Sequence, residues 1–140
     1  MSERYFLDTN VLVYTFDARS ARKQRIARDL VARALRDRDG IISYQVVQEF
    51  LNLALRKFTP PMSAGEAQEF LRRVLTPLCE VFPDSSLYSD AVVIASKSGW
   101  TFYDSLIVAS AAAGKCRLLI SEDLQAGRTI QGVEIRNPFS

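Results

Sequence analysis

The chain has 140 residues, 48% of them hydrophobic, so it can bury one sizeable core but hardly two, and we expect a single domain over residues 1–140. It contains no His, which excludes the commonest general base, the Ser-His-Asp and Cys-His nucleophile systems and nearly every zinc site. With 18 Lys and Arg against 16 Asp and Glu, the net charge of +2 does not by itself require a nucleic-acid partner.

The first half of the chain alternates short apolar runs with helical patterns. Tyr5-Phe6-Leu7 predicts a strand, and Asp8-Thr9-Asn10 after it is typical of a turn or helix cap. Apolar residues at helical spacing predict an amphipathic helix from about Ser20 to Arg38, with Gly40 as its stop. Ile41-Ile42-Ser43 predicts a second strand, after which Ser43 caps a helix that runs to Pro60-Pro61.

The second half continues the alternation. Ser63 and Glu66 form a capping-box pattern that predicts a helix ending at Pro77. The remaining predicted elements are a strand at 80–82, a helix from Asp84 to Gly99, a helix from Asp104 to Ala113, a strand at 117–120 and a fifth strand at 133–135. Strands that alternate with helices indicate a three-layer α/β/α sandwich around a mostly parallel sheet of about five strands.

The N-terminal sequence, the longest apolar run and the cysteines indicate the cellular location. The N-terminus lacks a secretory signal pattern, and the longest small and apolar run, Leu106 to Ala113, is shorter than the roughly 18 to 20 residues that span a bilayer. We therefore expect a cytoplasmic protein without a membrane segment. Cys79 and Cys116 lie too far apart for a CxxC pair, and we interpret both as core residues of a reduced protein.

Four acidic residues fall where the predicted sheet should bind ligands. Asp8 ends the first strand, Glu49 lies early on the helix after the second, Asp104 starts the helix before the fourth, and Asp123 follows that strand. Ligands of open parallel sheets bind outside the carboxyl ends of the strands, so these side chains should share one crevice.

A ring of carboxylates points to a particular chemistry. Crowded like charges repel one another and raise each other's pKa, so the cluster is costly unless a cation occupies it. Ligands that are all oxygen favour Mg²⁺ or Mn²⁺, and such an ion allows phosphodiester hydrolysis without His. The sequence therefore predicts a metal-dependent phosphodiesterase.

Each of these acids also has a structural interpretation. Asp8 could cap a helix, Glu49 could lie on a helix surface, and Asp104 could stabilise a helix N-terminus through its dipole. Glu122 could replace its neighbour Asp123 at the fourth position, or both could be loop acids. Three polar residues, Thr9, Asn10 and Ser121, could orient the acids or a metal-bound water, or could serve only in turns and caps.

Taken together, four segments resemble the PIN-domain family over nearly the whole chain, and within it the compact VapC-type toxins. The segments are Asp8-Thr9-Asn10, Val46 to Phe50, Phe102 to Ala109, and Leu119 to Asp123. The resemblance implies a PIN-like fold and an Mg²⁺- or Mn²⁺-dependent endoribonuclease. It further implies the toxin of a type II toxin–antitoxin pair, an antitoxin partner that inserts into the site, an RNA substrate and a homodimer.

The same resemblance assigns roles to residues. It implies that Asp8 and Asp104 are the principal metal ligands, that Glu49 is the second acid and that Asp123 is the fourth. Asn10 and Ser121 match supporting polar positions. Since the last acid varies most in this family, Glu122 remains an alternative to Asp123.

Two further groups of residues could contact RNA. Four arginines of the first long helix project away from its apolar stripe and could follow a phosphate backbone, or could form an ordinary solvated face: Arg22, Arg25, Arg33 and Arg36. Trp100, Phe102 and Tyr103 could stack on bases, but we favour core packing for at least two of them.

Rival functions fit the sequence less well. A haloacid-dehalogenase-like phosphatase needs a second Asp where Asn10 stands, and the six glycines form no phosphate-binding loop. A receiver-type signalling domain lacks a convincing phospho-accepting Asp after the third strand. The remaining alternative is a non-catalytic PIN-like module for RNA binding or assembly.

Overall fold

The computed structural model describes residues 3–140 and contains, within them, a six-stranded sheet. In chain order the strands are β1 (Tyr5–Leu7), β2 (Gly40–Ser43), β3 (Cys79–Val81), β4 (Leu118–Ile120), β5 (Thr129–Ile130) and β6 (Val133–Arg136). They lie in the order β3-β2-β1-β4-β6-β5. The β5–β6 pair is antiparallel and the other four pairs are parallel.

Helices flank the sheet. They are α1 (Thr9–Tyr14), α2 (Ala21–Asp37), α3 (Tyr44–Arg56), α4 (Ala64–Phe70), α5 (Thr76–Leu78), α6 (Ser85–Ser98) and α7 (Phe102–Ala113), and a π-helical turn at Leu71–Leu75 joins α4 to α5. Every residue of β1 and β2 is buried, as expected for central strands covered on both faces. The predicted α/β/α architecture around a mostly parallel sheet is confirmed.

Side chains of the central strands and of α3 form the middle of the core. Phe6 and Ile41 are paired across β1 and β2, Phe6 also lies beside Leu119 of β4, and all three are fully buried with Phe50 of α3. Burying each such side chain stabilises the fold by roughly 1.5 to 3 kcal/mol. Cys116 belongs to this core as predicted, whereas Cys79 is half-buried at its edge.

The structure corrects two details of strand and helix ends. The sheet has six strands because the hairpin turn at Gln131 and Gly132, both with positive φ, pairs the unpredicted β5 with β6. Gly40 does not end α2. The helix ends at Arg38, which adopts the left-handed conformation with φ 62°. Gly40 instead starts β2, where a Cβ would lie 2.6 Å from the Tyr5 ring.

Two further differences concern helices. The predicted helix is divided into α4, the π-helical turn and α5, and this helical segment ends at Leu78, one residue after the predicted end at Pro77. Helix α7 begins at Phe102, two residues before the predicted start, because Thr101 caps it. Among residues 3–140, every helix is too short or too polar to cross a membrane.

Candidate acidic site

Strand pairing brings Asp8 and Ser121 to the same edge of the sheet. Leu7 is paired with Ile120 across β1 and β4, so the residues that follow β1 and β4 leave the sheet at the same level. The backbone N–H of Asp8 donates to the Ile120 carbonyl at 3.0 Å, which fixes this exit. Asp8 then caps α1, because its Oδ1 accepts the Thr9 N–H at 2.7 Å. The cap expected from the sequence is present, and it leaves Oδ2 available to other partners.

Hydrogen bonds connect Asp8 to Asp123 through two neutral side chains. Ser121 Oγ donates to Asp8 Oδ2 at 2.7 Å. Asn10 Nδ2 lies 3.1 Å from Asp123 Oδ2 and 3.4 Å from Asp8 Oδ2. The backbone N–H groups of Asp123 and Leu124 donate to Ser121 Oγ at 3.2 and 3.3 Å. The structure thus places Asn10 and Ser121 as bridges between the two acids.

Glu49 reaches the same cluster from α3. Thr9 Oγ1 donates to Glu49 Oε1 at 2.6 Å, and Gln45 Nε2 lies 3.2 Å from Glu49 Oε2. Gln45 Nε2 also donates to the carbonyl of Tyr103 at 3.1 Å, which ties α3 to the start of α7. The carboxylate of Glu49 is therefore oriented on both of its oxygens, with Thr9 as its link to Asp8.

Asp104 reaches the cleft from α7. It is the third residue of α7, where its backbone N–H donates to Thr101 Oγ1 at 3.1 Å. Its side chain is exposed and lines a cleft of about 500 Å³ together with the other three predicted acids, Asp8, Glu49 and Asp123. In the described part of the chain, no three acidic or Cys side chains already form a cluster with the spacing of metal ligands.

The donor set of this cleft nevertheless fits a hard divalent cation. Its acids offer carboxylate oxygens alone, which Mg²⁺ and Mn²⁺ prefer, and the chain has no His to favour zinc. Mg²⁺ usually keeps several water ligands and takes only one or two carboxylates directly. A wide cleft lined by several acids suits that mode of binding better than a closed cage would.

Burial dominates the electrostatics of Asp8. Loss of solvent raises its pKa to about 6, the hydrogen bonds from Ser121 and Thr9 oppose this rise, and the charges of Glu49 and Asp123 add to it. Only 8% of the residue is exposed. An ionised Asp8 therefore destabilises the metal-free fold, and a cation nearby would relieve that cost.

Glu122, the alternative fourth acid, has other partners. The Tyr14 hydroxyl donates to Oε1 and the Lys23 ammonium to Oε2, both at 2.5 Å. These two hydrogen bonds, first from Lys23 and then from Tyr14, lower the pKa of Glu122. The carboxylate of Asp123, not that of Glu122, accepts from the Asn10 amide, which favours Asp123 as the fourth member of the acidic site.

The four predicted RNA-binding arginines are divided between the two ends of α2. Arg22 and Arg25 are exposed near its start, the end closer to the acidic cleft. Arg33 pairs with Asp39 at 3.1 Å and Arg36 with Asp37 at 2.9 Å, near the start of β1 and thus at the opposite edge of the sheet. The second pair of arginines is therefore far from the acids and partly neutralised.

The aromatic residues differ from expectation. Phe102 and Tyr103 are 37% and 66% exposed, so the preference for core packing of at least two of the three aromatics is wrong. They are exposed because they occupy the first turn of α7, whose buried residues begin at Ser105. Trp100 packs at the edge of the core, with the Arg128 guanidinium 5.1 Å from its ring centre.

Several residues of the cleft were missed from the sequence. They are Tyr14, Arg19 and Asn52, which line it, and Gln45, which orients Glu49. Gln45 could have been found, because it lies four residues before Glu49 and so on the same helix face. The others reach the cleft through tertiary packing, which leaves no local pattern.

The acidic cleft is not the largest concavity. A groove of about 620 Å³ adjoins it, and the two share Val13, Asp17, Arg19 and Leu53. Its other lining residues are mostly apolar and include Phe16, Phe58, Pro60, Pro61 and Met62. Since it contains no cluster of acids, we assign the chemistry to the smaller cleft.

Replacing Asp8 tests the electrostatic cost of this site. At pH 7 and in EDTA, Asp8→Asn should raise the melting temperature by about 6 to 12 °C, since an ionised buried carboxylate that titrates near 6 costs the folded state roughly 3 kcal/mol. Because the folded-state pKa lies above the unfolded value, wild-type stability falls as pH rises from 3.8 to about 6. The gain should thus shrink below pH 6. A variant that is less stable than wild type at pH 7 would contradict this account.

Comparison with known proteins supports the fold and gives the family. No curated protein matches the sequence significantly. Solved structures that match include a toxin-antitoxin complex from Klebsiella pneumoniae, with TM-score 0.69, 18% identity and 96% of this chain and 98% of that chain covered. Another is the DNA-bound VapBC of Salmonella typhimurium, with TM-score 0.66, 15% identity and 98% and 99% covered.

A third similar structure is VapC20 of Mycobacterium tuberculosis, a sarcin-ricin loop cleaving toxin, with TM-score 0.62, 18% identity and 85% and 91% of the two chains covered. At these identities the structures establish the fold alone. The family model of the PIN domain, however, matches residues 5–129, which is most of the chain and includes all four predicted acids. The chain therefore belongs to the PIN domain family.

Proposed function

We propose that this PIN-domain protein is a metal-dependent endoribonuclease that hydrolyses RNA phosphodiester bonds and acts as the toxin of a type II toxin–antitoxin pair. The observation that carries the proposal is that four carboxylates from separate elements line one cleft. Two of them, Asp8 and Asp123, are joined through Asn10. The similarity to VapC20, described as a toxin that cleaves the sarcin-ricin loop, supports RNA as the substrate class.

Asp8 and Asp104 would hold Mg²⁺ or Mn²⁺, with Glu49 and Asp123 beside them. When bound, such an ion can polarise a phosphoryl oxygen and lower the pKa of a water molecule. Asp8 suits this role because its burial leaves an ionised carboxylate short of solvent and therefore in need of a counter-charge.

The polar neighbours of the acids would keep them in place during the reaction. Thr9 and Gln45 donate to the two oxygens of Glu49 and so orient its carboxylate. Ser121 and Asn10 do the same for Asp8 Oδ2, and Asn10 also orients Asp123. Such supporting contacts commonly change metal affinity or activity by about 10- to 100-fold when removed.

The path of the RNA is proposed from charge. Arg22 and Arg25 are exposed near the start of α2, and Arg19, which precedes this helix, lines the cleft itself. Among the described residues, neither Arg22 nor Arg25 forms an ion pair with an acid. Both are therefore available to a phosphate backbone that runs from the cleft along α2. Tyr103, exposed at the cleft, could stack on a base.

Protein partners and location complete the proposal. The apolar groove beside the cleft would accept a segment of an antitoxin, as expected if its binding blocks the site. Exposed apolar side chains on α6 and α7 suit a homodimer: Tyr88, Val92, Val93 and Phe102. The mass of the purified protein in solution checks the dimer. A cytoplasmic location would follow from RNA as the substrate.

Cleavage assays test the activity. The purified protein should cut members of a panel of structured and single-stranded RNAs with Mg²⁺ or Mn²⁺, should not cut them in EDTA, and should lose the activity in Asp8→Asn. Cleavage that survives in this variant would indicate a contaminant or another site. Metal-independent RNA binding without cleavage would favour the non-catalytic PIN-like module.

The two ends of α2 offer a matched pair of variants for RNA binding. The double change Arg22→Ala and Arg25→Ala should weaken binding and reduce the slope of log affinity against log salt by about 1 to 2, because each phosphate contact releases counterions. The change Arg33→Ala and Arg36→Ala removes equal charge at the distant end and should leave the slope nearly unchanged. Equal effects of the two pairs would remove this face from the proposal.

A further inference from the structure

A cluster beside the acidic cleft has no role in the proposed chemistry so far. It consists of Tyr14 at the end of α1, Lys23 in the first turn of α2, and Glu122 in the loop after β4. Resting on the proposed function, we propose that Lys23 and Tyr14 are positioning residues, which hold Glu122 so that its backbone orients Asn10 between Asp8 and Asp123.

The contacts within this cluster immobilise Glu122. Lys23 Nζ and the Tyr14 hydroxyl each lie 2.5 Å from a different oxygen of its carboxylate, and Lys23 Nζ also lies 3.3 Å from the hydroxyl. The Lys23 and Glu122 side chains are only 31% and 24% exposed. The rings of Tyr14 and Phe139 confine the ammonium further, with centres 5.0 and 5.7 Å from it. The pair is therefore better shielded than an ordinary surface ion pair.

The backbone of Glu122 decides which way Asn10 faces. The Glu122 N–H donates to Asn10 Oδ1 at 3.2 Å. A peptide N–H can only donate, so the amide oxygen must point to it and the amide nitrogen must point the other way. In that orientation Asn10 Nδ2 lies near Asp123 Oδ2 and Asp8 Oδ2. A flipped amide would set its oxygen against two carboxylates, which is repulsive.

The contacts of Lys23 and Tyr14 with the Glu122 carboxylate form a clamp. Loss of this clamp would affect the acids in two ways. Residue 122 would no longer be held beside Asn10, so the amide could leave the orientation that joins Asp8 to Asp123. The freed Glu122 side chain, which already borders the cleft, would also carry an uncompensated, mobile negative charge beside the four acids. The first change alters the geometry of the acids and the second alters their charge, and neither requires a contact between Lys23 and RNA.

The first experiment compares Lys23→Gln and Tyr14→Phe with a charge-matched control, Arg72→Gln. The control removes the positive partner of an exposed ion pair with Glu69 of α4. Removing a positive charge by itself favours cation binding, so weaker binding in Lys23→Gln reports displaced acids. In metal-free protein titrated with Mn²⁺ alone, Lys23→Gln should weaken binding by about 10-fold, Tyr14→Phe by less, and Arg72→Gln not at all. Lys23→Arg should recover part of the loss. Mn²⁺ affinity equal to wild type in Lys23→Gln would overturn the proposal.

The second experiment asks whether the effect passes through Asn10. If it does, Lys23→Gln added to Asn10→Ala should weaken Mn²⁺ binding little further, whereas independent effects would add. The side-chain amide signals of Asn10 in nuclear magnetic resonance spectra should also shift in Lys23→Gln and not in Arg72→Gln. Full additivity, or unchanged Asn10 signals in a folded variant, would contradict a positioning role.

Cleavage kinetics separate the clamp from RNA binding. In Lys23→Gln the positioning role predicts a lower kcat with little change in KM for RNA, while a phosphate contact predicts a higher KM and a smaller salt dependence. The second pattern would overturn the proposal. If wild-type protein cuts no RNA, the proposed function fails, but the Mn²⁺ titration and the Asn10 signals still test the clamp.

Discussion

The parallel pairing of β1 with β4 is the constraint on which the acidic site depends. It sets Leu7 beside Ile120, so that Asp8 and Ser121 leave the sheet together and their side chains meet at 2.7 Å. Asn10 extends this contact to Asp123, and Thr9 extends it to Glu49 on α3. A shift of register between these two strands would separate Asp8 from Ser121 and Asp123, although each segment kept its local structure.

The same arrangement opposes stability. Asp8 directly follows β1 and is buried at the bottom of the cleft. Burial raises its pKa, and the charges of Glu49 and Asp123 raise it further. Hydrogen bonds from Ser121 and Thr9 offset part of this cost. Groups perturbed by burial and by like charge, set in a cleft, are typical of functional sites. The fold thus carries an electrostatic cost that a bound cation would offset.

The sequence predicted most of the fold because its signals are local. The capping box at Ser63 and Glu66 and the buried apolar strands appear where expected. It missed β5, a two-residue strand that exists only through pairing with β6, and it assigned Gly40 to a helix end when packing against Tyr5 is what requires a glycine there.

The candidate site was predictable to a similar extent. The position of each acid relative to the end of a predicted parallel strand suggested that Asp8, Glu49, Asp104 and Asp123 share a crevice, and they line one cleft. The separate partners of Glu122 and the bridging amide of Asn10 depend on side-chain geometry, which no spacing encodes. The most direct test is to add substoichiometric Mn²⁺ to isotopically labelled, metal-free protein and record which backbone amide signals broaden. The account predicts that broadening centres on Asp8, Glu49, Asp104 and Asp123 and spares the distant end of α2 at Arg36; broadening centred elsewhere, or spread evenly over the chain, would contradict it.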